Sequence, residues 1–205
     1  MSTPPLEIDV VDILIEFLEV SIHHLLFLRN LYPSSIFVLR KMYNVPVHVS
    51  KHPGVNQYIT EVLQSARVLL RLKGLKSLTL CFYNDTNMPI ERFVFDLLNI
   101  NENFRVNQNS SDSYLLDLRN GFRAFSLKIA AFEMKPLSDK CSFQIHLLTT
   151  EQGSQALAND PMFEDFPWIE LEDEKKVLQS PSIAPIRTIE TDYIKLQMYH
   201  EMSSR

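Results

Sequence analysis

From Val10 to Leu31 the apolar run is broken by polar residues that recur at spacings of three and four, Asp12, Glu16, Glu19 and His23, with Asp9 just ahead of them. That period places them along one face of a helix whose other faces are apolar, which predicts a central helix covered on most sides by its own protein. A membrane span of this length would have to desolvate the acidic stripe, so a buried helix is the better reading. The stripe itself reads as a solvated face. Pro33-Ser34-Ser35 ends the helix, Ile36 to Arg40 suits a short strand, and a loop through Asn44, Pro46 and His48 follows.

A second amphipathic helix is written in Val55, Ile59, Val62, Leu63, Ala66, Leu69 and Leu70, with Gly74 as its expected C′ residue. Leu75 to Tyr83 and Ile90 to Leu97 are strand-like and joined by Asn84-Asp85-Thr86-Asn87, predicting a hairpin. After a polar stretch from Asn99 to Ser113, Ser111 or Asp112 is the expected cap of a third helix, in which Leu115, Leu118, Phe122, Phe125 and Ile129 share a face. Cys141, Phe143, Ile145 and Leu147 alternate with Ser142, Gln144 and His146 as a half-buried strand does. Beyond Thr150 the texture becomes irregular: a polar loop, Phe166-Pro167-Trp168-Ile169, a charged run over Glu170 to Lys176, two Pro-containing pairs, and Ile189 to Met198. Three helices on a mostly antiparallel sheet make an α+β domain.

Composition narrows the function. The 205 residues carry a net charge of -5, whereas a domain gripping a phosphate backbone usually presents a basic face; direct nucleic-acid binding is disfavoured, with Arg40, Lys41 and Lys51 the local exception. Cys81 and Cys141, both in alternating apolar runs, read as buried thiols of a reducing compartment. Pro4, Pro5, Glu7 and Asp9 stand where a secretory signal needs a basic region, so no export signal is read.

Catalytic chemistry finds little to build on. The four glycines are dispersed, which excludes a phosphate-cradling loop. His23 and His24 point about 100° apart on a helix, and His48 and His52 have no further thiol or carboxylate to complete a zinc set. The expectation is a non-enzyme with no catalytic residue, metal or cofactor. An enzyme using Cys81 or His52 is the rival reading, and it predicts turnover or metal uptake by the isolated chain.

The ordered set Glu16-Phe17-Leu18-Glu19-Val20, Tyr32-Pro33, Tyr43-Asn44-Val45-Pro46-Val47, Asn56-Gln57-Tyr58-Ile59, Glu91-Arg92-Phe93-Val94-Phe95, Arg123-Ala124-Phe125, Asp165-Phe166-Pro167-Trp168-Ile169 and Lys195-Leu196-Gln197-Met198-Tyr199 resembles the HORMA-domain family along essentially the whole chain. Within it the likeness is to the accessory subunits of translesion DNA polymerase zeta. The resemblance implies one HORMA domain over residues 1–205, with a core of about 6–150 and a mobile C-terminal "seatbelt" over about 151–205. It implies a peptide-clamping nuclear adaptor, holding a Pro-rich motif of the polymerase's catalytic subunit and bridging it to the C-terminal domain of a Y-family scaffold polymerase. Action mainly in double-strand-break repair or checkpoint complexes is the alternative.

Residue roles follow the same likeness. Tyr58 and Trp168 match the aromatic contacts to the captured peptide, though from residues alone Trp168 reads as a core anchor beside Phe166 and Tyr58 as a helix-surface tyrosine. Ile183, Gln197 and Tyr199 match the scaffold-polymerase surface, Ile183 standing where the family has leucine. Arg123, Lys128 and Arg187 match basic positions of HORMA self-association, whereas Asn30 and Leu39 depart from the family's acid and lysine there. An ATPase of the AAA+ class is a further implied partner, as the remodeller of the seatbelt.

Overall fold

The computed structural model describes residues 9–100, 111–134, 136–137, 140–172 and 177–203. Asp9 caps the first helix, α1 (Val10–Leu28), its carboxylate accepting the Val11 amide at 2.9 Å. Leu14, Phe17, Leu18, Ile22, Leu25 and Leu26 are wholly buried, so α1 is the central rod of the molecule, as its apolar faces predict. Among the described residues no helix is long and apolar enough to cross a membrane.

The chain continues through a hairpin, β1 (Phe37–Met42) and β2 (Val45–Ser50), to α2 (Pro53–Arg71), β3 (Leu75–Tyr83), β4 (Pro89–Ile100), α3 (Ser111–Ala130), β5 (Ser142–Thr149), α4 (Glu151–Asn159), β6 (Pro181–Glu190) and β7 (Ile194–Ser203). Five strands form one antiparallel sheet in the order β5-β3-β4-β7-β6. The expected hairpin of β3 and β4 is present, and Asn84 Oδ1 shapes its turn by accepting the Thr86 and Met88 amides. Phe17 on α1 stacks on Phe122 of α3 with centroids 4.2 Å apart and meets Phe95 of β4 edge-on at 6.4 Å, joining helices to sheet. The fold is α+β, as expected, with four α-helices among the described residues.

Several details differ from the sequence expectations. The segment read as a loop around Pro46 is β2, because Tyr43 and Asn44 both take positive φ (50° and 58°) and turn the chain directly into a two-residue hairpin. Pro46 is tolerated there since both strands of this small sheet are edges. The polar loop expected after Thr150 is α4, capped by the Thr150 hydroxyl, which accepts the Gly153 amide at 3.1 Å. The left-handed residue ending α2 is Lys73 (φ 55°), not Gly74. Gly74 serves close approach instead: a Cβ on Gly153 would lie 2.8 Å from the Gly74 carbonyl oxygen, and the Thr150 amide donates to that oxygen.

The acidic stripe is also more than a solvated face. Asp9 and Asp12 face Arg71 (2.9 and 3.5 Å) and Asp12 faces Arg67 (3.3 Å), tying α1 to α2, while of the four α1 and cap acids Glu16 is the exposed one and the others are half-buried. His23 is buried and accepts the Ser50 amide. Cys81 is buried as expected, but Cys141, just before β5, is only half-buried. Of the polar, loop-like stretch expected over Asn99 to Ser113, Asn99 and Ile100 belong to β4 and 111–113 to α3; residues 101–110, the side chains of the expected caps Ser111 and Asp112, and part of the charged run, 173–176, lie outside what the structure describes.

Candidate partner-binding site

Among the described residues β5 is an edge strand, paired on one side only, with β3. Ile145 points inward to the helices and is buried, whereas its amide donates to the hydroxyl of Tyr58 on α2 at 3.0 Å. Backbone groups alternate along a strand, so the amides that turn away from β3 belong to Phe143, Ile145 and Leu147. This edge presents a row of strand-pairing groups, and α2 has placed one phenol against its middle.

Around that phenol the side chains are aromatic. Tyr58 meets Phe143 edge-on at 5.6 Å and Phe166 at 6.2 Å; Tyr32 meets Phe143 at 6.2 Å, and Phe166 meets Trp168 edge-on at 5.6 Å. Trp168 Nε1 donates to the Ser65 hydroxyl at 3.0 Å, and Ser65 in turn donates to the Glu61 carbonyl, so the indole is fixed on α2 with its polar edge satisfied. Burial holds the Tyr58 and Tyr32 phenols above the ordinary tyrosine range, which keeps this surface uncharged near neutral pH.

The path of the chain adds enclosure. It leaves the sheet at the β5 edge, passes α4 and the Phe166–Trp168 stretch on α2, and returns at β6 on the opposite edge, a width of about 19 Å for five strands. Glu91 of β4 helps to hold the far end: its carboxylate accepts from Arg29 Nε at 2.7 Å and lies 2.6 Å from His200 Nε2 on β7, all three side chains being buried. We call the segment joining the two edges, of which residues 151–172 and 177–180 are described, the strap.

The structure brings Tyr58 and Trp168 together through Phe166, so Tyr58 is not a simple helix-surface tyrosine and Trp168 packs at the margin of the main core. Sequence reasoning missed Ser65 and Tyr32, whose roles depend on the fold bringing α2 and the end of α1 to the β5 edge. Gln197 and Tyr199 share the face of β7 that points away from the helices, and Ile183 pairs with Glu201, the next residue on that face. Arg123, Lys128 and Arg187 are all exposed, on α3 and β6. Five residues of helix turn Arg123 and Lys128 about 140° apart, so they do not share one face. Asn30 and Leu39 are exposed as well.

Comparison with known proteins agrees with this architecture. The HORMA domain model matches residues 11–194. The human "Mitotic spindle assembly checkpoint protein MAD2B" is 35% identical over 201 residues, covering 94% of this chain and 90% of the relative. The Drosophila melanogaster "DNA polymerase zeta subunit 2" is 30% identical over 190 residues, covering 91% and 93%. Among solved structures, the mitotic checkpoint complex contains a chain that superposes with a TM-score of 0.78 at 17% identity, covering 95% of this chain and 98% of that one. The C. elegans protein HTP-2, solved bound to the HIM-3 closure motif, superposes with a TM-score of 0.70 at 13% identity, covering 95% and 90%. With the fold, the motif order and the relatives in agreement, this chain belongs to the HORMA-domain family, among the relatives named MAD2B and DNA polymerase zeta subunit 2.

Proposed function

We propose that this chain is a non-catalytic, nuclear peptide-clamping adaptor: the accessory subunit of translesion DNA polymerase zeta, holding a Pro-rich motif of the catalytic subunit and bridging it to a Y-family scaffold polymerase. The observation that carries the reading is the aromatic row Phe143–Tyr58–Phe166–Trp168 along an unpaired strand edge, beneath a strap joining opposite edges of the sheet. An extended segment added to β5 gains backbone hydrogen bonds, and flat aromatic faces receive proline rings. Residues 151–205 act as the seatbelt over the core of about 6–150, and enclosure by it slows release more than capture. Ile183, Gln197 and Tyr199, on the opposite face of the sheet from the helices, take the scaffold polymerase, so both partners bind at once.

The relatives' names "DNA polymerase zeta subunit 2" and "DNA polymerase zeta processivity subunit" support this choice. The name MAD2B supports a second reading, a checkpoint or break-repair complex using the same clamp. Arg123, Lys128 and Arg187 serve self-association in either case, and an AAA+ ATPase resets the seatbelt. A pull-down with the Pro-rich segment of the catalytic subunit tests the first reading. Wild type retains the segment and Trp168→Ala loses it by on the order of tenfold or more, as for an aromatic interface anchor. Failure of wild type to bind contradicts the proposal.

A further inference from the structure

We propose that His200 is a positioning residue: its bond to Glu91 fixes the pairing register of β7 on β4, and so sets where Gln197 and Tyr199 stand on the sheet. The role of those two residues rests on the scaffold-polymerase reading; the register does not. Along β7 the residues facing the helices are Ile194, Leu196, Met198 and His200, all buried. On β4, Leu97, Phe95 and Phe93 stand opposite Leu196, Met198 and His200. A slip by two residues keeps every side chain on its own face, so alternation of apolar and polar positions cannot exclude it. Leucine and methionine are near in volume and methionine adapts to irregular gaps, so Leu196 and Met198 could exchange levels at small cost. His200 cannot be traded for its neighbours in this way.

What distinguishes it is a directional contact. Its Nε2 donates to Glu91 Oε1 at 2.6 Å, one step diagonally from its own pairing partner Phe93, while Arg29 Nε donates to the other oxygen at 2.7 Å. The imidazole packs against Phe93 and Phe132, with centroids at 4.7 and 5.1 Å. A shift one way carries His200 level with Phe95, out of reach of the carboxylate, and leaves a ring N–H without a partner among apolar side chains. A shift the other way brings it level with Glu91, but removes it from Phe93 and Phe132 and seats Met198 opposite Phe93. Either displacement moves Gln197 and Tyr199 by about 7 Å relative to Asp96 and Val94, their present pairing partners. One buried polar side chain can thus select a single register among those an apolar pattern allows.

Cross-strand nuclear Overhauser contacts between β4 and β7 in the full chain read the register directly. Wild type shows one set, Val94 with Tyr199 and Asp96 with Gln197. His200→Met extends the Leu-Met series of the strand and leaves Glu91 on Arg29. It brings up a second set displaced by two residues, its population raised about tenfold or more over wild type by the loss of one charge-assisted hydrogen bond. His200→Gln, which keeps a donor, returns the single set. Titration with the scaffold polymerase's C-terminal domain shows His200→Met weakened in the ratio by which its native-register fraction falls. A single native set in His200→Met overturns the inference. A displaced set in that variant, together with no binding of the scaffold domain by wild type, upholds the register role and contradicts the scaffold reading alone. Should His200→Met fail to fold, His200→Leu is read in the same way; failure of both contradicts the inference, since the residue is then needed for the fold and not for its register.

Discussion

His23 and His24 illustrate how much one residue's role depends on a distant segment. Both are buried on α1, and each Nδ1 accepts a backbone amide from β2, Ser50 for His23 and His48 for His24, at 3.4 and 3.3 Å. Accepting requires the neutral ring. Burial pushes both pKa values down from 6.5 to about 4, with the nearby His48 adding to the effect on His24. In the unfolded chain these rings protonate near pH 6.5, whereas the folded state refuses the proton until about pH 4. Their contribution is complete above pH 6.5 and is lost as pH falls through that window. Denaturant titrations should show a loss of roughly 2 kcal/mol per histidine between about pH 7 and pH 5; a flat dependence there would contradict the assignment. Helical geometry shows from the sequence that adjacent histidines cannot easily share a metal ion, but not that they brace a hairpin, because Pro46 disguised β2.

At the scale of elements, what was legible is what local periodicity encodes. The apolar faces of α1, α2 and α3 and the β3–β4 hairpin follow from spacing and from turn residues such as Asn84. The β1–β2 hairpin left a weaker trace, Val45, Val47 and Val49 alternating behind Asn44, and Pro46 outweighed it. α4 has few apolar positions and contains Gly153, so its pattern is faint; the Thr150 cap was its signal. Gly153 is needed where α4 starts, since a Cβ would meet the Gly74 carbonyl oxygen at 2.8 Å and the Gly74 Cα at 2.9 Å, backbone atoms that cannot swing aside. Gly153→Ala should therefore destabilise the domain by about 1–3 kcal/mol, as overpacking does, despite the better helix propensity of alanine. Urea melts measure this, and an unchanged or raised midpoint would show that the contact relaxes freely.

Across the whole molecule, the two ends of the strap are held differently. Near β5 it is fixed by the Gly74–Gly153 backbone contact and by Trp168 on Ser65; at the far side β7 is joined to the body by pairing with β4 and by the buried Arg29–Glu91–His200 set. None of this is readable from local sequence, since Ser65 and Trp168 are 103 residues apart and Glu91 and His200 are 109 apart. The motif order pointed to Tyr58 and Trp168; the contact between the Tyr58 hydroxyl and the Ile145 amide appears only once α2 lies against β5. Site-resolved amide exchange of the full chain, with and without the Pro-rich segment of the catalytic subunit, tests the clamp most directly. The account predicts that the Phe143 and Leu147 amides and the strap around Phe166–Trp168 slow markedly on binding. Tight binding that leaves β5 exchanging as before, with protection gathered on another face, would contradict it.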